Sequence, residues 1–292
     1  MAENGDFLVV WDGHSTGTDM DSSVQGRRYG SDGLPLGDQF QVNTYTTQFQ
    51  YRPAVAGAAN GDFLVVWMSY DTSGSLVGST VQGQRYASNG SAQGSEFRVS
   101  TYDAPGGKVP AATATDDGGF VVAWGSYEGY ASDYDIRAKR YASDGSVRGA
   151  EFQVNAYTTD RQIRPALAAG GDGSFVVVWG SNGSSGTDTS YASVQGRRFA
   201  SDGSSQGVQF QVNTFTQFSQ GDPAVAAAGE NFVVAWYGDL GIDQIDNSGA
   251  VLGQRYGAPQ PVPVIALSPG GRLALGALLM LAGIGAALRR RS

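Results

Sequence analysis

The segment GDFLVVW at Gly5 returns as GDFLVVW at Gly61, GGFVVAW at Gly118, GSFVVVW at Gly173 and ENFVVAW at Glu230. These recurrences use every tryptophan of the chain: Trp11, Trp67, Trp124, Trp179 and Trp236, spaced 56, 57, 55 and 57 residues apart. So constant a period marks a repeat architecture, in which one supersecondary unit is copied and stacked. The period exceeds one coil of a β-helix and falls short of an immunoglobulin-like sandwich. A four-stranded propeller blade fits it best, and the expected fold is an all-β, propeller-like array of about five such units.

Each unit divides into four strand-like pieces, A to D. Strand A is a small-residue run after a proline, at Pro53, Pro110, Pro165 and Pro223. Strand B is the FVVVW segment, apolar on both faces as a strand sandwiched between neighbouring sheets must be. Strand C ends in Arg and an aromatic (QGRRY at Gln25, GQRY at Gly83 and Gly253, IRAKRY at Ile136, QGRRF at Gln195), and strand D reads FQVNTY at Phe40 or a close variant at Phe97, Phe152 and Phe210. Sheets converging on an axis leave room only for small side chains on the innermost strand, so strand A belongs inside. The pairs Asp32-Gly33, Asn89-Gly90, Asp144-Gly145, Asp202-Gly203 and Ser248-Gly249 are read as C–D hairpin turns, where Asx-Gly tolerates positive φ. On this ledger unit 1 has only B, C and D, and unit 5 only A, B and C. An upstream piece of about 22 residues, the distance from Phe40 to Asp62, is expected to supply the missing strands.

Charge narrows the range of functions. The 19 basic residues include Arg272, Arg289, Arg290 and Arg291 beyond Val262, which leaves 15 in the body against all 27 acidic residues. Nucleic acid is therefore not an expected partner. With no cysteine and the single His14, thiolate nucleophiles and His- or Cys-based zinc sites are excluded. No cofactor or metal is expected, with loop calcium left open.

The C-terminal Leu273 to Leu288 is an uncharged apolar run followed by Arg289, Arg290 and Arg291. As a helix it would span roughly 24 Å, and its basic flank points to a transmembrane anchor with a cytoplasmic end. The expected organisation is a repeat domain over 1–257, a Pro-rich linker with a sorting motif over 258–269, and a transmembrane helix with basic tail over 270–292.

The repeats resemble the tandem "DGGFVVVW … GQRY … FQVNTYT" units of large secreted bacterial repeat proteins, over nearly all of residues 5–256. The tail, with Val262, Pro263, Leu267, Ser268, Pro269, Gly270 and Gly271 before the apolar run, resembles C-terminal sorting signals of the PEP-CTERM and IPTL-CTERM type. These resemblances imply export, display on the surface of a Gram-negative bacterium, membrane anchoring and processing by a sortase-like enzyme.

The recurring strand-C arginines, Arg28, Arg85, Arg140, Arg198 and Arg255, read first as staples between blades. Ligand contact is expected on the face carrying the long B–C and D–A loops. Its candidates are Asp19, Asp21, Asp71, Asp133, Asp135, Asp188, Asp239 and Asp243, with Tyr130, Tyr134 and Tyr191; Asp12, Tyr70 and Tyr127 lie on the same loops. Acidic and aromatic side chains suit sugar contact. The sequence reading favours an exported, non-catalytic module binding a glycan, matrix component or protein. Its alternatives are a carbohydrate-active propeller hydrolase using paired loop aspartates and a structural surface spacer.

Overall fold

The computed structural model describes residues 4–14, 22–70, 78–101, 108–127, 134–183, 186–188, 191–239, 249–257 and 262–264. Among them the fold is all-β, a propeller-like array of five antiparallel meander sheets, or blades. Blade 1 has β1 (Phe7–His14), β2 (Ser22–Tyr29) and β3 (Phe40–Gln41). Blade 2 has β4 (Gln50–Gly57), β5 (Phe63–Tyr70), β6 (Ser79–Tyr86) and β7 (Ala92–Arg98). Blade 3 has β8 (Pro110–Ala114), β9 (Phe120–Tyr127), β10 (Tyr134–Tyr141) and β11 (Phe152–Gln153). Blade 4 has β12 (Gln162–Ala169), β13 (Phe175–Asn182), β14 (Ala192–Phe199) and β15 (Phe210–Gln211). Blade 5 has β16 (Gln220–Ala228), β17 (Asn231–Asp239), β18 (Gly249–Tyr256) and β19 (Val262–Val264).

The Ala-rich strands β4, β8, β12 and β16 lie against one another in sequence, and β1 lies against β4, which makes them the inner strands. Blade 5 departs from the sequence ledger. Val262–Val264, read from sequence as linker and sorting motif, pairs with β18 as an outer strand. An edge position tolerates Pro263, whose missing N–H is not needed there. Ser248-Gly249 is likewise not a C–D turn, because Gly249 opens β18 and so follows the B–C connection. The rest of the predicted tail, Leu267 to Gly271, the apolar run and Arg289 to Arg291, lies outside the described residues. Among the described residues no helix is long and apolar enough to cross a membrane.

Strands β5, β9 and β13 are buried along their whole length except for the last residue, as their two-sided apolar pattern requires. Each seam is built from two unlike faces. Leu64, Val66, Val81 and Val99 of blade 2 receive Phe120, Val122, Trp124 and Tyr141 of blade 3. Val121, Ala123, Ile136 and Val154 of blade 3 receive Phe175, Val177, Trp179 and Phe199 of blade 4, and the blade 1–2 and blade 4–5 seams repeat the scheme. Outer-strand phenylalanines close each seam on the next blade's strand-C aromatic: Phe40 on Tyr86, Phe97 on Tyr141, Phe152 on Phe199 and Phe210 on Tyr256, at 5.4 to 5.5 Å.

The strand-C arginines cross these seams. Arg28 donates to the carbonyls of Ser88 and Asn89, Arg85 to those of Ser143 and Asp144, and Arg140 to that of Ser201. Arg198 instead lies 4.8 Å from the centre of the Phe232 ring.

The outer strand is shorter than FQVNTY suggests, with only Phe-Gln on the ladder in blades 1, 3 and 4. The asparagine explains why. Asn43, Asn155 and Asn213 accept the backbone N–H of Val24, Ile136 and Val194 through their side chains, while their Nδ2 groups donate to the carbonyls of Tyr45, Tyr157 and Phe215. A side chain thus takes over the ladder and turns the backbone away toward the next blade. Glycine in strand C has a packing cause. A Cβ on Gly196 would stand 2.8 Å from the Phe210 ring, so the outer-strand phenylalanine lies over bare backbone.

Two predictions follow from buried phenols. Tyr141 is 3% exposed and its hydroxyl has no hydrogen-bond partner, while blade 4 has Phe199 at the same position. Tyr141→Phe should raise stability by about 1 kcal/mol, read as a higher thermal midpoint. Burial, with the Glu96 carboxylate adding to it, pushes the Tyr86 phenol up to about 12, and burial does the same for Tyr256. A phenol whose folded pKa lies above the unfolded value of about 10 stabilises the fold below that pH, and the contribution is lost as pH rises to the folded value. The thermal midpoint should therefore fall between pH 10 and about 12, and Tyr86→Phe should make the fall shallower.

Candidate functional site

The short A–B and C–D turns emerge on one side of the array and the B–C and D–A connections on the other. On the turn side the acids act as turn formers: Asp32, Asn89, Asp144 and Asp202 each accept the N–H two residues on. Seryl bonding and the Asx turns hold the Asp144 and Asp202 carboxyls below the usual carboxylate range.

On the loop side, Asp19, Asp21, Asp71, Asp133, Asp243 and Tyr130 lie outside the described residues. The described candidates fall into two groups. At the blade 3–4 seam, Asp135 accepts from Asn155 Nδ2 at 2.6 Å, so it braces the asparagine that redirects the outer strand. Beside it the Tyr134 ring packs on Tyr127 at 5.1 Å, and the Arg161 guanidinium lies 5.0 Å from the Tyr134 ring centre. In blade 4, Asp188 is fully buried, accepts from Asn213 Nδ2 at 2.7 Å and donates its N–H to Gln211 Oε1. Tyr191, by contrast, is 76% exposed and held at a φ of 51°. Asp239 ends β17, its N–H donating to Ser219 and its carbonyl accepting from Gln220. Asp135 and Asp188 therefore serve as braces of the fold.

A second set, which the sequence reading passed over, lies where the inner strands begin. Arg52, Arg164 and Asp222 immediately precede the strand-A prolines and have φ of 52°, 54° and 49°; Gln48, Asp160 and Phe218, four residues earlier, have φ of 62°, 61° and 61°. Each left-handed residue without glycine costs roughly 1–2 kcal/mol. The sheet register shifts at these places, between Tyr51 and Ala54, Ile163 and Ala166, and Gly221 and Ala224. The proline, with no N–H for the ladder, sits inside the bulge.

A buried glutamine holds each bulge. Gln50, Gln162 and Gln220 accept the indole N–H of Trp67, Trp179 and Trp236 at 2.9, 2.8 and 3.1 Å. Their amide nitrogens donate to the carbonyls of Thr47, Thr159 and Gln217 in the preceding loop. The invariant strand-B tryptophan is thereby tied to the loop that presents the charged residue. Blade 3 breaks the pattern, with Gly107 where the others have glutamine; there the Trp124 indole nitrogen is buried without a partner. Lys108, 1% exposed, stands where blades 2, 4 and 5 have Tyr51, Ile163 and Gly221.

The bulges present charge at the axial end of the loop side. Arg164 of blade 4 forms an ion pair with Asp222 of blade 5, both side chains 54% exposed. Asp12 of blade 1 accepts the Arg52 N–H of blade 2 at 3.1 Å. In a chain whose body is strongly acidic, Arg52, Lys108, Arg161 and Arg164 thus gather along the starts of neighbouring inner strands. A charged residue before three of the four strand-A prolines, Pro53, Pro165 and Pro223, was the available signal. Among the described residues no three His, Asp or Glu side chains form a metal-ligating group.

No protein-family model matches the chain, and no curated protein does. Solved structures do. An ulvan lyase of a new polysaccharide lyase family aligns at a TM-score of 0.55 and 12% identity, over 91% of this chain and 70% of that one. The same type of lyase bound to -[GlcA(1-4)Rha3S]- aligns at 0.52 and 10% identity, over 89% and 68%. An α-L-arabinofuranosidase from Lactobacillus brevis aligns at 0.46 and 12% identity, over 89% and 91%. At such identities the likeness is one of fold. It corrects the expectation of a non-catalytic binding module: the two structures that align above a TM-score of 0.5 are polysaccharide lyases, so the reading of the chain as no enzyme is not carried further.

The Gln–Trp ties yield a prediction. Gln162→Met leaves the Trp179 indole N–H buried without an acceptor, at a cost of about 1–3 kcal/mol. The expected outcome is a lower denaturant midpoint together with a change in tryptophan fluorescence.

Proposed function

We propose that the chain is a carbohydrate-active enzyme that cleaves a polysaccharide lying across the axial end of its loop side. The row of bulged inner-strand starts carries the reading. Strained left-handed backbone at Arg52, Arg164 and Asp222 places charged, exposed groups there, on strands that are rich in alanine beyond the proline. Backbone strain of this kind persists where the surrounding structure over-determines it, and it clusters at functional sites.

The chemistry of the set suits an acidic polymer. Arginine presents a planar fork matched to a sugar carboxylate or sulfate. Asp12 of blade 1, beside Arg52, and Asp222 of blade 5, paired with Arg164, supply exposed carboxylates at this end, groups of the kind that glycosidic cleavage requires. Support comes from the fold, since ulvan lyase, solved with a glucuronate-containing oligosaccharide, has the same propeller-like arrangement. The aspartates taken up here, at the inner strands, differ from those the sequence singled out on the longer loops. Export and surface display, implied by the C-terminal tail, would put such an enzyme where polymeric carbohydrate is found.

The test is a screen of the full chain against neutral and acidic polysaccharides, arabinan and glucuronate-containing polymers among them. New reducing ends report any cleavage, and the ultraviolet absorbance of an unsaturated uronate reports elimination. Asp222→Asn and Asp12→Asn are expected to lower turnover by about 100-fold or more at unchanged thermal midpoint. Cleavage of no polymer, or activity indifferent to both substitutions, overturns the proposal.

A further inference from the structure

The four seams all join a face of one kind to a face of another, and among the described residues one face of each kind is left uncovered. Blade 1 presents Phe7, Val9, Trp11 and Tyr29, the counterparts of Phe63, Val65, Trp67 and Tyr86, which are buried against blade 1. Val9 is 42% exposed, whereas Val65 is wholly buried. Blade 5 presents the opposite kind, with Tyr237 45% and Val251 47% exposed, where their blade 2 counterparts Met68 and Val81 are 3% and 0% exposed. Among the described residues no apolar core joins blade 5 to blade 1.

The polar lock of the seam is also present in two separated halves. At Gly90, Gly145 and Gly203 the place a Cβ would take is filled by Arg28, Arg85 and Arg140 of the preceding blade; at Gly33 of blade 1 no atom lies within 4 Å. Arg255 of blade 5, the counterpart of those arginines, is exposed. Blade 5 thus carries an arginine of the stapling kind, and blade 1 a turn of the receiving kind, Ser31-Asp32-Gly33.

We propose that blade 5 of one copy docks on blade 1 of a second copy, forming an intermolecular seam of the same construction as the four within the chain. Val251 and Tyr237 receive Val9 and Trp11 of the neighbour, and Arg255 donates to the carbonyls of its Ser31-Asp32 turn. The contact is heterologous: it leaves one free face of each kind on every dimer, and so builds a ring or an open chain of copies according to the angle each step adds.

The uncovered faces make a selective test possible. Full-length chains carrying Val9→Asp lose one face and those carrying Val251→Asp lose the other, at exposed positions where the charge leaves the fold intact by circular dichroism. By light scattering coupled to size exclusion, wild type is expected to associate with rising concentration. Each variant alone should remain monomeric, and an equimolar mixture should give a 1:1 dimer through its one intact pair of faces. Arg255→Ala should weaken wild-type association about tenfold. A monomeric wild type overturns the proposal. So do single variants that still associate, as they would through the apolar C-terminal run, or a mixture that stays monomeric.

Discussion

A β-sheet that is apolar on both faces cannot stand alone, and the rest of this structure follows from that constraint. Strand B carries valine on either side, so each blade needs a neighbour before and after it. The two faces are made unlike, one of aromatics and one of smaller aliphatics, and this fixes the direction in which blades succeed one another. Small residues on the inner strands let the blades converge, and the phenylalanine of the outer strand closes the wide end of each wedge on the next blade's aromatic.

The axial end of the loop side inherits its geometry from this packing. Tryptophan is the largest side chain in each seam, and its indole N–H needs an acceptor once buried. The glutamine that supplies one also anchors the preceding loop, and the bulge between them turns a charged residue outward. In blades 2, 4 and 5, core and candidate site are therefore joined by a single side chain. Blade 3 has Gly107 in place of that glutamine, and its described inner strand pairs with β9 from Pro110 to Ala114 without a register shift.

Much of this was legible in the sequence. The tryptophan period, the apolar strand B, the small-residue strand A and the Asx-Gly turns gave the blade and its strand order. Other features were hidden because they depend on contacts distant in sequence. FQVN reads as continuous strand, but Asn43 and its counterparts use their side chains in place of the ladder. Gln50, Gln162 and Gln220 look like ordinary polar residues of a loop, though each is fully buried against a tryptophan 16 or 17 positions on. Ser248-Gly249 has the composition of a hairpin turn, yet Gly249 is the first residue of strand C in blade 5. The residues of the candidate site followed the same rule: acids on long loops were conspicuous, whereas Arg52, Arg164 and Asp222 were marked in the sequence only by a charge before a proline and stand out through their backbone conformation.

The arginine staples address carbonyl oxygens, which every residue has. The receiving turn is Ser-Asn-Gly in blade 2 and Ser-Asp-Gly in blades 3 and 4, and the lock is made in each. Polar recognition between blades is thus indifferent to most of the side chains it meets. A gene encoding such a chain can gain or lose a whole unit by in-frame duplication or deletion, and the new neighbours will already fit.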